Sequence, residues 1–263
     1  MIQKMKTFFG NLIEAQTILI EPTNDCQLDC VTCYRKGRNV GYMYHHVYDL
    51  ALSMLPKNTY AVNLNGAGEP LMHPDFVSMV NKLNAKRNWF GMKYKTGFST
   101  NGLLLNADMQ DQIIDKIDWI NISLDGMAAE HEARRRGSDW EIVSQNAFDL
   151  IGTLRFRTKV SINLTRMNQS DEEIAEFKAY FQDADSVFVT DWHNSKMQSP
   201  GMAKSKCTQI NNTRFILWNG DVTTCCGDLR GINVYGNICY APLNKLRPKF
   251  GPLCKTCDMG RSN

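Results

Sequence analysis

The 263-residue sequence contains no apolar run near the roughly 20 residues that a helix needs to cross a bilayer, which argues against a membrane-spanning protein. It has no low-complexity segment and no long linker, so its whole length is open to one large core, or to a core with a small appendage. Charge of one sign is also scarce. The net charge is +3, and the densest basic run, Arg134 to Arg136, is short, which argues against a nucleic-acid partner. Nine cysteines are an odd number and too sparse for a disulfide scaffold. The chain opens on Met-Ile-Gln-Lys rather than a signal peptide, and the expected setting is reducing and cytoplasmic, with thiols kept for metal. At 43% apolar and 22% charged, the composition is that of an ordinary globular protein.

The cysteines are clustered. Cys26, Cys30 and Cys33 fall in the run CQLDCVTCY, spaced C-x3-C-x2-C and followed by Tyr34. Three thiolates on one loop can hold three corners of a cubane iron-sulfur cluster and leave the fourth iron open. Electron-carrying clusters are normally held by four cysteines, and structural zinc also takes four ligands. An open iron is a place for chemistry. A zinc site completed by His45 or His46 is the alternative reading of the same residues. The triad with its trailing aromatic resembles the radical S-adenosylmethionine (radical SAM) enzymes. That resemblance implies an open iron that binds the amino and carboxylate groups of S-adenosylmethionine.

Strand-like runs alternate with amphipathic ones along most of the chain. Strands are expected over residues 17–21, 60–64, 93–99, 119–124, 159–164 and 186–190. Helices are expected over residues 75–83, 107–117, 140–150 and 172–181. Six β-α units in succession predict an α/β fold with a parallel sheet and helices outside. Right-handed crossovers curl such a sheet toward a barrel, and six units stop short of the eight that close one. The expectation is a partial (β/α)6 TIM-like barrel with its site at the C-terminal ends of the strands. Polar motifs fall where that fold needs them: the cysteine loop after the first strand, Asn65 to Pro70 after the second, Thr100-Asn-Gly102 after the third and Ser123 to Gly126 at the end of the fourth.

The Gly66-Ala-Gly-Glu69 turn resembles the family's GGEP segment with Ala in place of its second Gly. The resemblance implies that Gly66, Gly68 and Glu69 meet the methionyl ammonium of the cofactor, while Glu69-Pro70 could instead open the following helix. Ser123 and Asp125 resemble residues near the cofactor's ribose and carboxylate, and a plain β-turn is the alternative for Asp125. The run from Gly126 to Gly137 resembles the SLDG...H...R..G pattern of radical SAM enzymes with a C-terminal auxiliary-cluster domain. It aligns Arg135 with an arginine that contacts the cofactor carboxylate, a geometry that suits a guanidinium. His131 reads equally as a structural polar residue. Asn163 and Asn168 also resemble family positions.

Beyond about residue 200 the β-α repeat stops and the cysteines return: Cys207, Cys225, Cys226, Cys239, Cys254 and Cys257 lie within 51 residues. Residues 213–217 and 222–224 read as strands joined by an Asn-Gly turn, which brings two candidate ligands together. Cys254 and Cys257 form a C-x2-C knuckle. This tail resembles the Twitch domain, a shortened SPASM domain. The resemblance implies domains at residues 1–200 and 201–263, and a second 4Fe-4S cluster held by Cys207, Cys225, Cys254 and Cys257. Cys226 could replace Cys225, and a four-thiolate zinc is the alternative for the whole tail.

Two 4Fe-4S clusters and S-adenosylmethionine are therefore the implied cofactors. The implied chemistry is reductive cleavage of S-adenosylmethionine to methionine and a 5'-deoxyadenosyl radical, which takes a hydrogen atom from the substrate. The second cluster would then accept the leftover electron, giving a two-electron oxidation by an oxidoreductase. The compact build is most like that of a dehydrogenase acting on an aminocyclitol alcohol, so a small polar metabolite is the first expectation for the substrate. Crosslinking or epimerisation of a ribosomally made peptide is the second, with Cys226 or Cys239 left over as a hydrogen-returning thiol. A zinc-stapled binding protein is the reading from outside enzymology. A flavodoxin or ferredoxin-type reductant is the expected partner. Tyr42 to His46 and Trp192, His193 and Asn194 are candidate rim residues.

Overall fold

The computed structural model describes residues 16–33, 35, 37–89, 91, 93–191, 207 and 209–255. Tyr34, Trp192, His193, Asn194 and Cys257 lie outside the described residues.

Six parallel strands follow one another with helices between them. They are β1 (Gln16–Ile20), β2 (Thr59–Asn63), β3 (Lys95–Thr100), β4 (Trp119–Ser123), β5 (Lys159–Arg166) and β6 (Ser186–Asp191). The helices are α1 (His45–Ser53), α2 (Phe76–Trp89), α3 (Ala107–Ile113), α4 (Ala128–Arg134), α5 (Trp140–Gly152), α6 (Asp171–Tyr180) and the single turn α7 (Gln209–Asn212). After them come β7 (Thr213–Ile216), β8 (Asp221–Thr223) and β9 (Gly236–Asn237). The strand order is β6-β5-β4-β3-β2-β1-β7-β8-β9. This is the α/β, partial-barrel architecture expected from six β-α units.

Alternation builds the layers. Along β5, Val160, Ile162 and Leu164 are buried and join the core, while Ser161, Asn163 and Thr165 are half-buried on the other face. Ile120 and Ile122 of β4 pack likewise, against helix residues such as Val143, Ala147 and Leu150 of α5. The helices start on polar caps. Asn106 accepts from Met109 N–H before α3, Asp139 from Ile142 N–H before α5, and Ser170 and Glu173 form a capping box at α6. α3 stops at Ile113, short of the expected residue 117. Asp115 turns into the left-handed region at φ 59° and its carboxylate accepts the N–H groups of Phe156, Arg157 and Thr158 at 3.1, 2.8 and 3.2 Å. That local exchange outcompetes another helical turn. Helices α1 and α4 were not among the runs expected from periodicity.

The hairpin expected from the Asn-Gly turn is present, with Gly220 N–H bonded to Leu217 O at 2.9 Å and Leu217 N–H to Asp221 O at 2.8 Å. Its first strand pairs in parallel with β1, from Thr17↔Thr213 to Ile20↔Ile216. The segment after residue 207 therefore extends the barrel sheet beyond β1.

Candidate active site

The loop carrying the three cysteines leaves β1 and is clamped at its base. Thr23 Oγ1 donates to Gly41 O at 2.7 Å, Asn24 Nδ2 to Asn39 O at 2.9 Å, and Tyr42 Oη to Asp25 Oδ2 at 2.7 Å. Its tip rests on the end of α4, where Asp29 N–H and Val31 N–H donate to Arg136 O and Arg134 O, each at 2.9 Å. The three-arginine run thus supports the cysteine loop through backbone carbonyls.

One cavity of about 310 Å³ gathers most of the residues singled out in the sequence. Cys26, Cys30, Cys33, Gly66, Gly68, Glu69, Ser123 and Arg135 line it, together with Asn65, Ser99, Thr100, Asn101 and Leu229. The glycine turn comes close because Gly66 and Gly68 carry no side chains. A Cβ on Gly66 would overlap the side chain of Glu21, and one on Gly68 would overlap the backbone of Asn24 and Asp25. His45 pairs instead with Asp75 at 3.1 Å.

Glu69 is 2% exposed. Its carboxylate accepts from Leu71 N–H at 3.1 Å, Thr100 Oγ1 at 2.8 Å and Asn101 N–H at 2.7 Å. Burial pushes its pKa up, against the pull of those donors and of the Arg135 charge. Asp125 is fully buried and lies behind the cavity wall. It stands 2.8 Å from Arg135 Nε and accepts Thr165 N–H at 2.9 Å. It therefore orients the arginine that faces the cavity.

Composition and motif gave no signal for Glu21, which is fully buried. Its carboxylate takes both terminal nitrogens of Arg38 at 3.0 and 2.5 Å, Ala67 N–H at 2.9 Å and Trp218 N–H at 3.2 Å. Strand, cysteine loop, glycine turn and C-terminal hairpin meet at this one group. An acidic residue ending an apolar strand directly before the cysteine loop was the available hint.

The donor chemistry fits a cluster. Burial raises the thiol of Cys26 to about 11 and also raises that of Cys30, so both need a positive partner to ionise. Leu28 N–H already approaches Cys26 Sγ at 3.5 Å. Among the described residues no three His, Cys, Asp or Glu side chains stand together as a site for one metal ion. A cubane does not require that, because each thiolate takes a different iron.

From the cavity wall across β3, β4 and β5 the inner face carries a row of uncharged polar side chains, while Leu19, Phe215 and Leu217 make it apolar beside β1 and β7. Asn65 Nδ2 and Asn121 Nδ2 both donate to Ser99 Oγ, at 3.2 and 3.3 Å, and Ser161 Oγ donates to Asn121 Oδ1 at 3.2 Å. Thr190 Oγ1 donates to Asn163 Oδ1 at 2.8 Å one layer higher. Asn168 accepts from Arg134 at 3.3 Å, outside this row.

His131 is a structural group. It is fully buried, accepts Asp125 N–H at Nδ1 (3.4 Å) and donates from Nε2 to Ser138 Oγ (2.8 Å), the pattern of a neutral ring. Burial first, and the Arg135 charge second, lower its pKa to about 4 from 6.5. Above about pH 6.5 the ring is neutral in both folded and unfolded chains. As pH falls the unfolded chain takes the proton first, so stability is lost from about pH 6.5 down to about 4, by on the order of 3 kcal/mol. Denaturant unfolding at a series of pH values should show this slope in the wild type and a flatter one in His131→Gln. Equal slopes would rule His131 out as the source.

Fold and site together define an α/β partial-barrel protein with a thiol-lined cavity at the carboxyl ends of its parallel strands. Residues 20–181, more than half of the chain, match the model of the Radical SAM superfamily. The chain belongs to that superfamily, whose members use a 4Fe-4S cluster and S-adenosylmethionine. It is 30% identical over 154 residues to the mycofactocin maturase MftC of Mycobacterium ulcerans, covering 56% of this chain and 40% of that one. The chain thus spans less than half the length of this relative. Among solved structures, SuiB of Streptococcus suis bound to its precursor peptide SuiA superposes with a TM-score of 0.71 at 16% identity, over 91% of this chain and 66% of that one. BtrN in complex with AdoMet and 2-DOIA gives 0.57 at 16% identity, over 88% and 80%. At these identities the likeness is one of fold. Among the described residues no helix is long and apolar enough to cross a membrane.

Proposed function

We propose that the chain binds a 4Fe-4S cluster through Cys26, Cys30 and Cys33 and S-adenosylmethionine beside it, and that it oxidises a substrate C–H group by two electrons. The observation that carries this reading is the single cavity shared by three thiols, the glycine turn and Arg135. When bound, the reduced cluster supplies the electron that splits S-adenosylmethionine to methionine and a 5'-deoxyadenosyl radical. The chain's own residues hold and orient. Gly66 and Gly68 let backbone approach the methionyl end, and Glu69 fixes the turn while facing the ammonium. Arg135, held by Asp125, offers its guanidinium to the carboxylate, Ser123 meets the ribose, and Tyr34 follows the cluster loop.

Residues 201–263 are proposed as a Twitch-like unit with a second cluster on Cys207, Cys225, Cys254 and Cys257, beside a barrel unit of residues 1–200. Cys226 packs against Leu19, Phe215 and Leu217, which supports Cys225 as the ligand. Asp228 N–H bonds to Cys225 O at 3.1 Å and Asp228 accepts Asn233 N–H at 2.7 Å, while Asn233 Nδ2 faces Cys254 Sγ at 3.5 Å. These contacts support a common site for Cys225 and Cys254. A cluster held there would supply an acceptor for the electron left on the substrate after hydrogen abstraction and loss of a proton.

The uncharged Ser and Asn row that starts in the cavity wall supports a polar, neutral substrate group. A small polar metabolite fits it. A peptide is the second reading, favoured by the match to a maturase and by the likeness to a structure holding a precursor peptide. Protein reconstituted without oxygen should bind about eight irons per chain and form 5'-deoxyadenosine with dithionite and S-adenosylmethionine. Zinc in place of iron, with no cleavage, would make the chain a metal-stapled binding protein. Cys254→Ala should drop the iron to about four and leave uncoupled cofactor cleavage while stopping substrate oxidation. Undiminished oxidation would make the tail structural.

A further inference from the structure

The turn after β3 touches both halves of the site. Asn101 is 5% exposed, and its N–H donates to Glu69 Oε2 at 2.7 Å. Its side-chain Oδ1 accepts Leu103 N–H at 3.0 Å and Gln27 Nε2 at 3.4 Å. With Oδ1 held by a backbone donor, the orientation of the amide is fixed. Its Nδ2 then faces Cys26 Sγ at 3.8 Å, the same sulfur that Leu28 N–H approaches at 3.5 Å.

We infer that Asn101 is a positioning residue that sets the electron affinity of the open-site cluster through an N–H···S hydrogen bond to Cys26. The inference rests on the proposed reading of Cys26 as a cluster ligand. A ligand sulfur carries part of the negative charge that reduction adds to a cluster. A donor aimed at that sulfur stabilises the reduced form, and the potential rises. Asn101 also bonds Gln27, beside Cys26, and Glu69 of the glycine turn, which ties the donor to the elements on both sides of the sulfur.

The direct test uses the full chain reconstituted without oxygen, as wild type, Asn101→Leu and Asn101→Asp. Three quantities are read: iron per chain, the electron paramagnetic resonance spectrum of the reduced cluster that responds to added S-adenosylmethionine, and the midpoint potential of that signal. Both variants should keep their iron while the midpoint moves to a more negative value, further in Asn101→Asp, where an anionic oxygen faces the sulfur. An unchanged midpoint in both, or a rise in Asn101→Asp, overturns the inference. Asn101→Asp has the same shape and keeps an acceptor for Leu103 N–H, so it supplies the reading if Asn101→Leu does not fold. Wild-type protein without a cluster responsive to S-adenosylmethionine would instead overturn the reading of Cys26 on which the inference stands.

Discussion

Alanine at Cys26, Cys30 and Cys33 together should abolish 5'-deoxyadenosine formation and lower the iron content by about four per chain, leaving the tail cluster in place. The expectation follows from the cavity, where these thiols face the glycine turn and Arg135. The substitutions remove no core side chain, because all three cysteines are only half-buried. The fold should therefore survive, and far-ultraviolet circular dichroism of the variant should match the wild type. Cofactor cleavage that persisted would show that the open site lies elsewhere.

Removal of the Glu21 carboxylate should have the largest effect on stability. Glu21→Ala leaves the Arg38 guanidinium, 12% exposed, without its partner, and strips acceptors from the backbone N–H groups of Ala67 and Trp218. Breaking a buried pair from one side costs about 3–5 kcal/mol, and urea unfolding should report a loss of that size. Affinity for S-adenosylmethionine should fall as well, since Glu21 lies directly under Gly66. Glu21→Gln, which keeps an acceptor, should lose less of both. A loss in Glu21→Ala below about 1 kcal/mol, the range of an exposed ion pair, would mean that Arg38 finds another partner.

Much of the barrel was legible because its signals are local. Alternation along residues 159–164, helical spacing over residues 140–150 and polar turns after the first four strands are written in neighbouring residues, and the structure returns them with small changes of boundary. The stop of α3 at Ile113 was not legible, since the helical pattern runs on to residue 117 and the competing acceptor, Asp115, bonds to residues some forty positions later. The pairing of β7 with β1 has no local signature either. In the site, the cysteines and glycines could be found from spacing. Glu21 and Asn101 act through contacts made only on folding: Glu21 through Trp218, 197 positions away, and Asn101 through Cys26, 75 positions away.

The parallel pairing of β1 with β7 also orders the events of biosynthesis. β1 leaves the ribosome before the other described strands, and β2 then covers one of its edges. Among the described residues its other edge meets a strand only in residues 213–216, where Glu21 N–H bonds to Ile216 O at 2.9 Å. Between the emergence of β1 and that of β7 the strand that feeds the cysteine loop carries an open row of backbone donors and acceptors, the feature that invites mispairing between nascent chains. Among the described strands β1 thus gains its second neighbour only from a strand made long after it, and the base of the cysteine loop reaches its final pairing only once both exist.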